Sequence, residues 1–211
     1  MTRVKRINIL YGPPGTGKTT IANILPKGVQ YISVGALART EIAGDTTLGK
    51  SLSYYLDNVL EYPQDVIGQL MRTPIRDAEG AVLLDGFPKY EREVKVLQDV
   101  MDELALVPGH LFTLRLSADE ALSRSLGRLI CSSCRVECGN AQEDCCKECG
   151  FPLEERPDDE SAIFLRRYSD WQQNHQIVSN MLINEGYVHA ALDAKKSAAA
   201  TAAFMLATIN A

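Results

Sequence analysis

The sequence has no basic excess. Its 22 Lys and Arg are outnumbered by 27 Asp and Glu, for a formal net charge of −5. That balance argues against a general nucleic-acid surface and leaves room only for local gatherings of cations, as at a phosphate site. Long apolar runs are also missing. The apolar segment near the amino terminus is too short for a signal peptide, and the alanine-rich tail, residues 197–211, falls short of the roughly 20 residues that span a bilayer. No internal repeat is visible. No cysteine lies outside residues 131–149, where all six fall, and in a reducing compartment such clustering points to metal rather than disulfides. A cytoplasmic protein with small-molecule partners is expected, and 211 residues suffice for one domain with insertions.

What the chain does have is GPPGTGKTT, residues 12–20. A turn from strand to helix needs only one glycine, whereas here Gly12, Gly15 and Gly17 surround two prolines and Thr16 and lead into Lys18, Thr19 and Thr20. Glycine lets the backbone bend with positive φ and lets a bulky anion approach closely. The spacing fits G-x-x-x-x-G-K-[ST]: backbone N–H groups and a helix N-terminus surround phosphates, the lysine reaches the β/γ-phosphates and the hydroxyl approaches Mg²⁺. A Gly/Pro turn with a chance lysine is the plain alternative, and an apolar run before the loop with a helical pattern after it weighs against that.

Strand-like apolar runs occur at residues 4–10, 29–34, 81–84, 111–116 and 187–192, separated by segments of helical period. The alternation predicts an α/β fold: a parallel five-stranded P-loop sheet with helices on both faces. Helices are expected over residues 91–106 and 161–185, where apolar residues recur at three and four. Nearly fifty residues of helical pattern between the second and third strands, and the cysteine-rich piece, read as insertions on the ligand side of the sheet.

Several stretches together resemble the adenylate kinase family of nucleoside monophosphate kinases: GPPGTGKTT; ISVGALAR, from Ile32 to Arg39; LLDGFPK, from Leu83 to Lys89; RSLGR, from Arg124 to Arg128; RPDD, from Arg156 to Asp159, followed by Arg167; and the paired Cys-x-x-Cys. The resemblance covers nearly the whole chain. It implies transfer of a phosphoryl group from ATP·Mg²⁺ to a nucleoside monophosphate, AMP by default, by a core (residues 1–32, 64–126 and 161–211), a monophosphate-binding insertion (33–63) and a zinc-bearing lid (127–160). It implies that Lys18 attends the donor phosphates, that Arg124 lies against the donor nucleotide, and that Arg128, Arg156 and Arg167 surround the transferring group. Ser33, Arg39, Gly86 and Lys89 would hold the acceptor, and Asp85 would order magnesium's water shell. The protein is expected to be a monomer. Taken singly, each arginine has an ordinary reading as a solvated helix residue, Asp85 as a turn former before Gly86, and Asp158 or Asp159 as a helix cap.

Cys131-x₂-Cys134 and Cys146-x₂-Cys149 fit a four-thiolate tetrahedral zinc site of structural type, stapling a segment with too few apolar residues to pack alone. Cys138 and Cys145 are left over as spare thiols, with Cys145 an alternative to Cys146. The departures from the family pattern gather at the acceptor. Val34 and Ala36 stand where the family has Thr and Asp, Lys89 where it has Arg, and Glu93 where it has a Gln that reads adenine. An ionised carboxylate only accepts hydrogen bonds, and guanine presents two adjacent donors. Glu93 therefore suggests GMP as an alternative acceptor, against the plain reading of an acid in a helix's first turn. A nucleotide-dependent binding module with a zinc ribbon, and a simple P-loop ATPase, are the readings from other classes.

Overall fold

The computed structural model describes residues 5–26, 28–58, 60, 62–126, 128–134, 137–138, 145–155 and 161–210. Its frame is a parallel five-stranded sheet. The strands are β1 (Arg6–Tyr11), β2 (Val29–Ser33), β3 (Ala81–Asp85), β4 (Val107–Arg115) and β8 (Val188–Asp193), in the spatial order β2-β3-β1-β4-β8. The chain leaves the central β1 toward one side and crosses to the other only after β3. In open parallel sheets a reversal of this kind opens a crevice at the carboxyl ends of the strands.

Successive residues of a strand face opposite sides, and each side is buried. Ile7, Ile9, Tyr11, Ile32, Val82, Leu84 and Leu111 point to one face. It is covered by α2 (Val34–Ala43), α3 (Thr47–Asp57), α4 (Gln64–Asp77), α5 (Glu91–Glu103) and the second half of α7 (Ser161–Asn184). Leu10, Leu83, Phe112 and Leu114 point the other way, against α1 (Lys18–Ala22), α6 (Ala118–Ser125), the first half of α7 and α8 (Ala198–Asn210). Lys5 ties α4 to the sheet, its Nζ donating to the carbonyls of Ile75 at 2.6 Å and Ala78 at 2.5 Å, groups that a helix end leaves unpaired.

Two elements differ from the sequence expectation for identifiable reasons. Strand β4 begins at Val107 rather than near residue 111, because the Pro-Gly pair that reads as a breaker is absorbed by a bulge. The register steps from Ile7↔Pro108 to Ile9↔Leu111, and buried Asn8 fills the gap, accepting from His110 N at 2.9 Å and donating to Val82 O at 3.1 Å. Gly109 is needed there, since a Cβ would meet Asn8 Oδ1 at 2.5 Å. Helix α5 stops at Glu103 although its apolar period runs on to Leu104. Ala105 takes φ 50°, the left-handed conformation that ends helices, and Leu106 N bonds back to Met101 O.

A second, three-stranded antiparallel sheet joins β5 (Leu129–Cys131), β6 (Glu137–Cys138) and β7 (Leu153–Glu155) in the order β6-β5-β7. It carries the cysteines. Among the described residues no helix is long and apolar enough to cross a membrane.

Candidate active site

The glycine loop joins β1 to α1. Its glycines are required by backbone geometry and by space. Gly15 and Gly17 have φ of 81° and 80°, values that cost an L-residue about 1–2 kcal/mol. A Cβ on Gly15 would lie 2.2 Å from the carbonyl of Ala121 in α6, and one on Gly12 would lie 2.9 Å from Leu114 Cβ. Thr16 is buried and folds the loop on itself, its hydroxyl donating to Pro13 O at 2.9 Å. Lys18 bridges the same loop, with Nζ 3.0 Å from both Gly12 O and Pro13 O.

The loop forms one wall of a cavity of about 550 Å³ at the carboxyl ends of the strands. That volume is within the range of small-molecule sites. Gly12, Gly15, Thr16, Gly17, Lys18, Thr19 and Thr20 line it, together with Arg124, Arg128, Ser33, Arg39, Gly86 and Lys89. Asp85 and Arg167 also face it. Elements far apart in sequence thus aim cations at one space. Arg124 is braced by Ala194 O at 2.8 Å, beyond the end of β8. Arg156 lies outside the described residues, as do Asp158 and Asp159.

Asp85 ends β3 almost fully buried. One carboxylate oxygen accepts from Tyr31 Oη at 2.5 Å, while the other has no hydrogen-bond partner. A buried, unpaired carboxylate oxygen beside a phosphate loop suits a group whose partner is a hydrated cation. Lys89 opens onto the cavity and sits with Nζ 5.9 Å from the ring centre of Tyr62. The residue is exposed to solvent, which moderates the desolvation of its amine. Desolvation lowers its pKa, Arg167 pushes in the same direction, and Glu93, Asp170 and Asp85 pull the other way.

Glu93 does not stand where a base reader must. It is 2 % exposed and absent from the cavity lining. Its Oε2 accepts from the backbone amides of Lys89 at 2.5 Å and Tyr90 at 3.4 Å. Two donors unpaired at the start of α5 take up the carboxylate, a third outcome beside base recognition and a solvated surface acid. The guanine argument built on Glu93 therefore loses its geometric basis.

The sequence reading missed several residues at the site. Tyr31 holds Asp85. Tyr62 underlies Lys89, and Tyr90 donates to Asp170 at 2.7 Å. Trp171 lines the cavity and stacks on His175 with 4.2 Å between ring centres. Trp171 follows the helical period that marks core residues, so nothing in the pattern separated it from packing.

The sulfurs of Cys131, Cys134, Cys146 and Cys149 all lie within 4.8 Å of one another. Separations of 3.3 Å (Cys131–Cys149), 3.6 Å (Cys134–Cys146) and 3.5 Å (Cys149–Cys134) are slightly tighter than the about 3.8 Å implied by a tetrahedron with zinc–sulfur bonds of about 2.3 Å. The set fits such an ion. Burial opposes a thiolate at Cys131, but the amides of Cys134 and Ser133 and the neighbouring thiols outweigh it and bring the pKa down to about 6. The amides of Cys149 and Glu148 lower that of Cys146 in the same way. Gly150, the turn residue after the second pair, has φ 74°. Cys145 stands outside the four, its backbone bridged to Pro152, which decides between it and Cys146; the Cys138 side chain lies outside the described residues.

Comparison with known proteins agrees with this geometry. The family description "Adenylate kinase" matches residues 10–186. An adenylate kinase of Pyrococcus horikoshii is 28% identical over 185 residues, covering 84% of each chain. One of Bacillus licheniformis is 29% identical over 189 residues, covering 85% of this chain and 87% of the relative. One of Pyrococcus furiosus is 30% identical over 173 residues, covering 79% of each.

Proposed function

From the premise that the chain belongs to the adenylate kinase family of nucleoside monophosphate kinases, we propose that it moves the γ-phosphoryl group of ATP·Mg²⁺ to a nucleoside monophosphate, with AMP the preferred acceptor. The observation that carries this reading is the single cavity on which the phosphate loop, Asp85, Lys89 and four arginines from separate elements converge. Phosphoryl transfer asks little covalent chemistry of a protein. The transition state is largely dissociative, so the site must align two anionic substrates and offset their charge.

The roles follow from position. The loop amides, Thr16, Thr19, Thr20 and Lys18 hold the donor's phosphates. On binding, Lys18 exchanges its two loop carbonyls for phosphate oxygens. Arg124 supports the donor nucleotide, and Arg128, Arg167 and Arg156 neutralise the transferring group. Ser33, Arg39, Gly86 and Lys89 hold the acceptor's phosphate. Asp85, fixed by Tyr31, would hold the hydrated magnesium that accompanies ATP through its unpaired oxygen, and that ion would offset phosphate charge. Residues 33–63 form the acceptor insertion and residues 127–160 a lid that excludes water, which would otherwise take the phosphoryl group. Cys131, Cys134, Cys146 and Cys149 would hold a zinc ion that staples that lid. We further infer a cytoplasmic monomer.

GMP remains the second acceptor, resting on Lys89, Val34 and Ala36 now that the Glu93 carboxylate is occupied. A binding module has no use for so many cations around one cavity. The decisive experiment is initial-rate ADP formation from ATP with AMP, GMP, CMP and UMP in turn. AMP-dependent turnover above the others is expected. Equal or faster use of GMP removes AMP from first place, and no acceptor-dependent turnover removes the kinase reading.

A further inference from the structure

The four cysteines of the metal set are not equivalent. Cys131 and Cys146 are buried, with 0% and 2% exposure, whereas Cys134 and Cys149 are exposed. Each Cys-x-x-Cys pair therefore supplies an inner sulfur first and an outer sulfur second. The inner sulfurs accept backbone amides from the turns that follow them: Cys131 from Ser133 at 3.3 Å and Cys134 at 3.4 Å, and Cys146 from Glu148 and Cys149. Two equivalent turns thus bury one sulfur each and leave the other at the surface.

The outer sulfurs form one edge of the tetrahedron, 3.5 Å apart. A disulfide holds its sulfurs at about 2.05 Å, so an approach of about 1.5 Å joins them. Cysteine oxidation follows thiolate character and access. A metal keeps all four as thiolates, and access then separates the outer pair from the inner. The other close approaches, Cys131 to Cys149 at 3.3 Å and Cys134 to Cys146 at 3.6 Å, each involve one inner sulfur. Cys145 is also exposed, but it stands outside the four, with its backbone bridged to Pro152.

We propose that Cys134 and Cys149 are a site of reversible oxidation by hydrogen peroxide, at which an intramolecular disulfide forms and the zinc ion is expelled. One outer thiolate attacks the peroxide: an S–O bond forms, the O–O bond breaks, and hydroxide leaves with the electron pair. The other outer thiolate attacks the resulting sulfenic sulfur: an S–S bond forms, the S–O bond breaks, and a second hydroxide leaves. The two thiolates lose two electrons between them, the peroxide gains two, and both negative charges end on hydroxide.

Cys131 and Cys146 remain as two ligands, half of what a structural zinc site needs, and cannot retain the ion. The cross-link joins the same two turns that the metal joined, so the short sheet keeps a staple while the ion is out. A dithiol such as dithiothreitol reverses the change by two exchanges, becoming the disulfide itself and returning both thiolates to the metal set. The proposal rests on the zinc reading given above and is independent of the kinase reading.

The test treats the zinc-loaded chain, its metal measured first, with hydrogen peroxide in the absence of reductant. Zinc release is followed with a colorimetric chelator, free thiols are counted, and unreduced peptides are mapped by mass spectrometry, for the unaltered protein and for Cys145→Ser. The expected result is loss of the zinc ion in step with loss of two thiols per chain, a peptide cross-linked between Cys134 and Cys149, and an unchanged release rate in Cys145→Ser. Dithiothreitol should restore both thiols and the uptake of zinc. A cross-link through Cys131, Cys145 or Cys146, a cross-link between chains, thiol loss with the zinc retained, or slower release in Cys145→Ser overturns the proposal. A chain that holds no zinc before peroxide is added overturns the zinc reading and the expulsion with it, a failure the first metal measurement tells apart from the others.

Discussion

Lys89 shows how the residue type sets a site's chemistry. An arginine, which the resemblance implies for this position, would stay charged at any working pH, whereas an ammonium loses its proton on the alkaline side. In the role proposed for it, Lys89 would attract the acceptor's phosphate while protonated, below its lowered pKa, and would attract nothing once neutral. The acceptor's kcat/KM, which reports the free protein, should therefore fall by roughly fivefold or more as pH rises through that pKa, below the usual lysine value near 10.4. Lys89→Arg should remove this alkaline limb while leaving kcat/KM for ATP unchanged. Initial rates from about pH 7 to about pH 10 check it, and an alkaline limb that survives in Lys89→Arg assigns the titration to another group. Most individual residues of the site were legible in the sequence because a phosphate loop leaves few choices at Gly12, Gly15 and Lys18. Glu93 was not. Its fate depends on the amides of Lys89 and Tyr90, and no spacing rule distinguishes an acid that caps its own helix from one that faces a ligand.

Among the elements, the cysteine-bearing sheet is the one whose stability is least its own. Strands β5, β6 and β7 have 3, 2 and 3 residues, too few to hold together without a staple. Cys146→Ser should abolish stoichiometric zinc and cost about 2 kcal/mol or more of stability. Cys145→Ser should keep the metal and melt within about 0.5 kcal/mol of the parent. Metal analysis beside thermal unfolding checks both, and full zinc retention in Cys146→Ser would exclude it as a ligand. The site was readable in advance because two Cys-x-x-Cys pairs are local and nearly self-sufficient signals. The start of β4 was not, since Pro108 and Gly109 read as an interruption until a side chain from another strand, Asn8, is placed against them.

For the whole molecule, five strands and two insertions follow from the alternation of the sequence, but the spatial order β2-β3-β1-β4-β8 does not. That order depends on which strands pair across intervening segments. It brings the residues proposed for the two nucleotides onto one crevice, so a ligand that occupies both should gain from linkage. A compound joining adenosine to ATP through its phosphates should bind more tightly than either nucleotide alone. At about 100 times its Kd it should add about 2.7 kcal/mol of stability, and ATP at that same concentration should add less; an equal rise in melting temperature at equal concentration would place the subsites apart. The frame also contains its own timing mark. One amide side chain at position 8 admits an additional residue into β4, and a single-residue slip exchanges the two faces of a strand. Downstream of that slip Leu111 joins one core and Leu114 the other, and it is Leu114 that lies beneath Gly12. The loop on which a triphosphate would rest is thus seated by the phase of the strand beneath it, set several residues away.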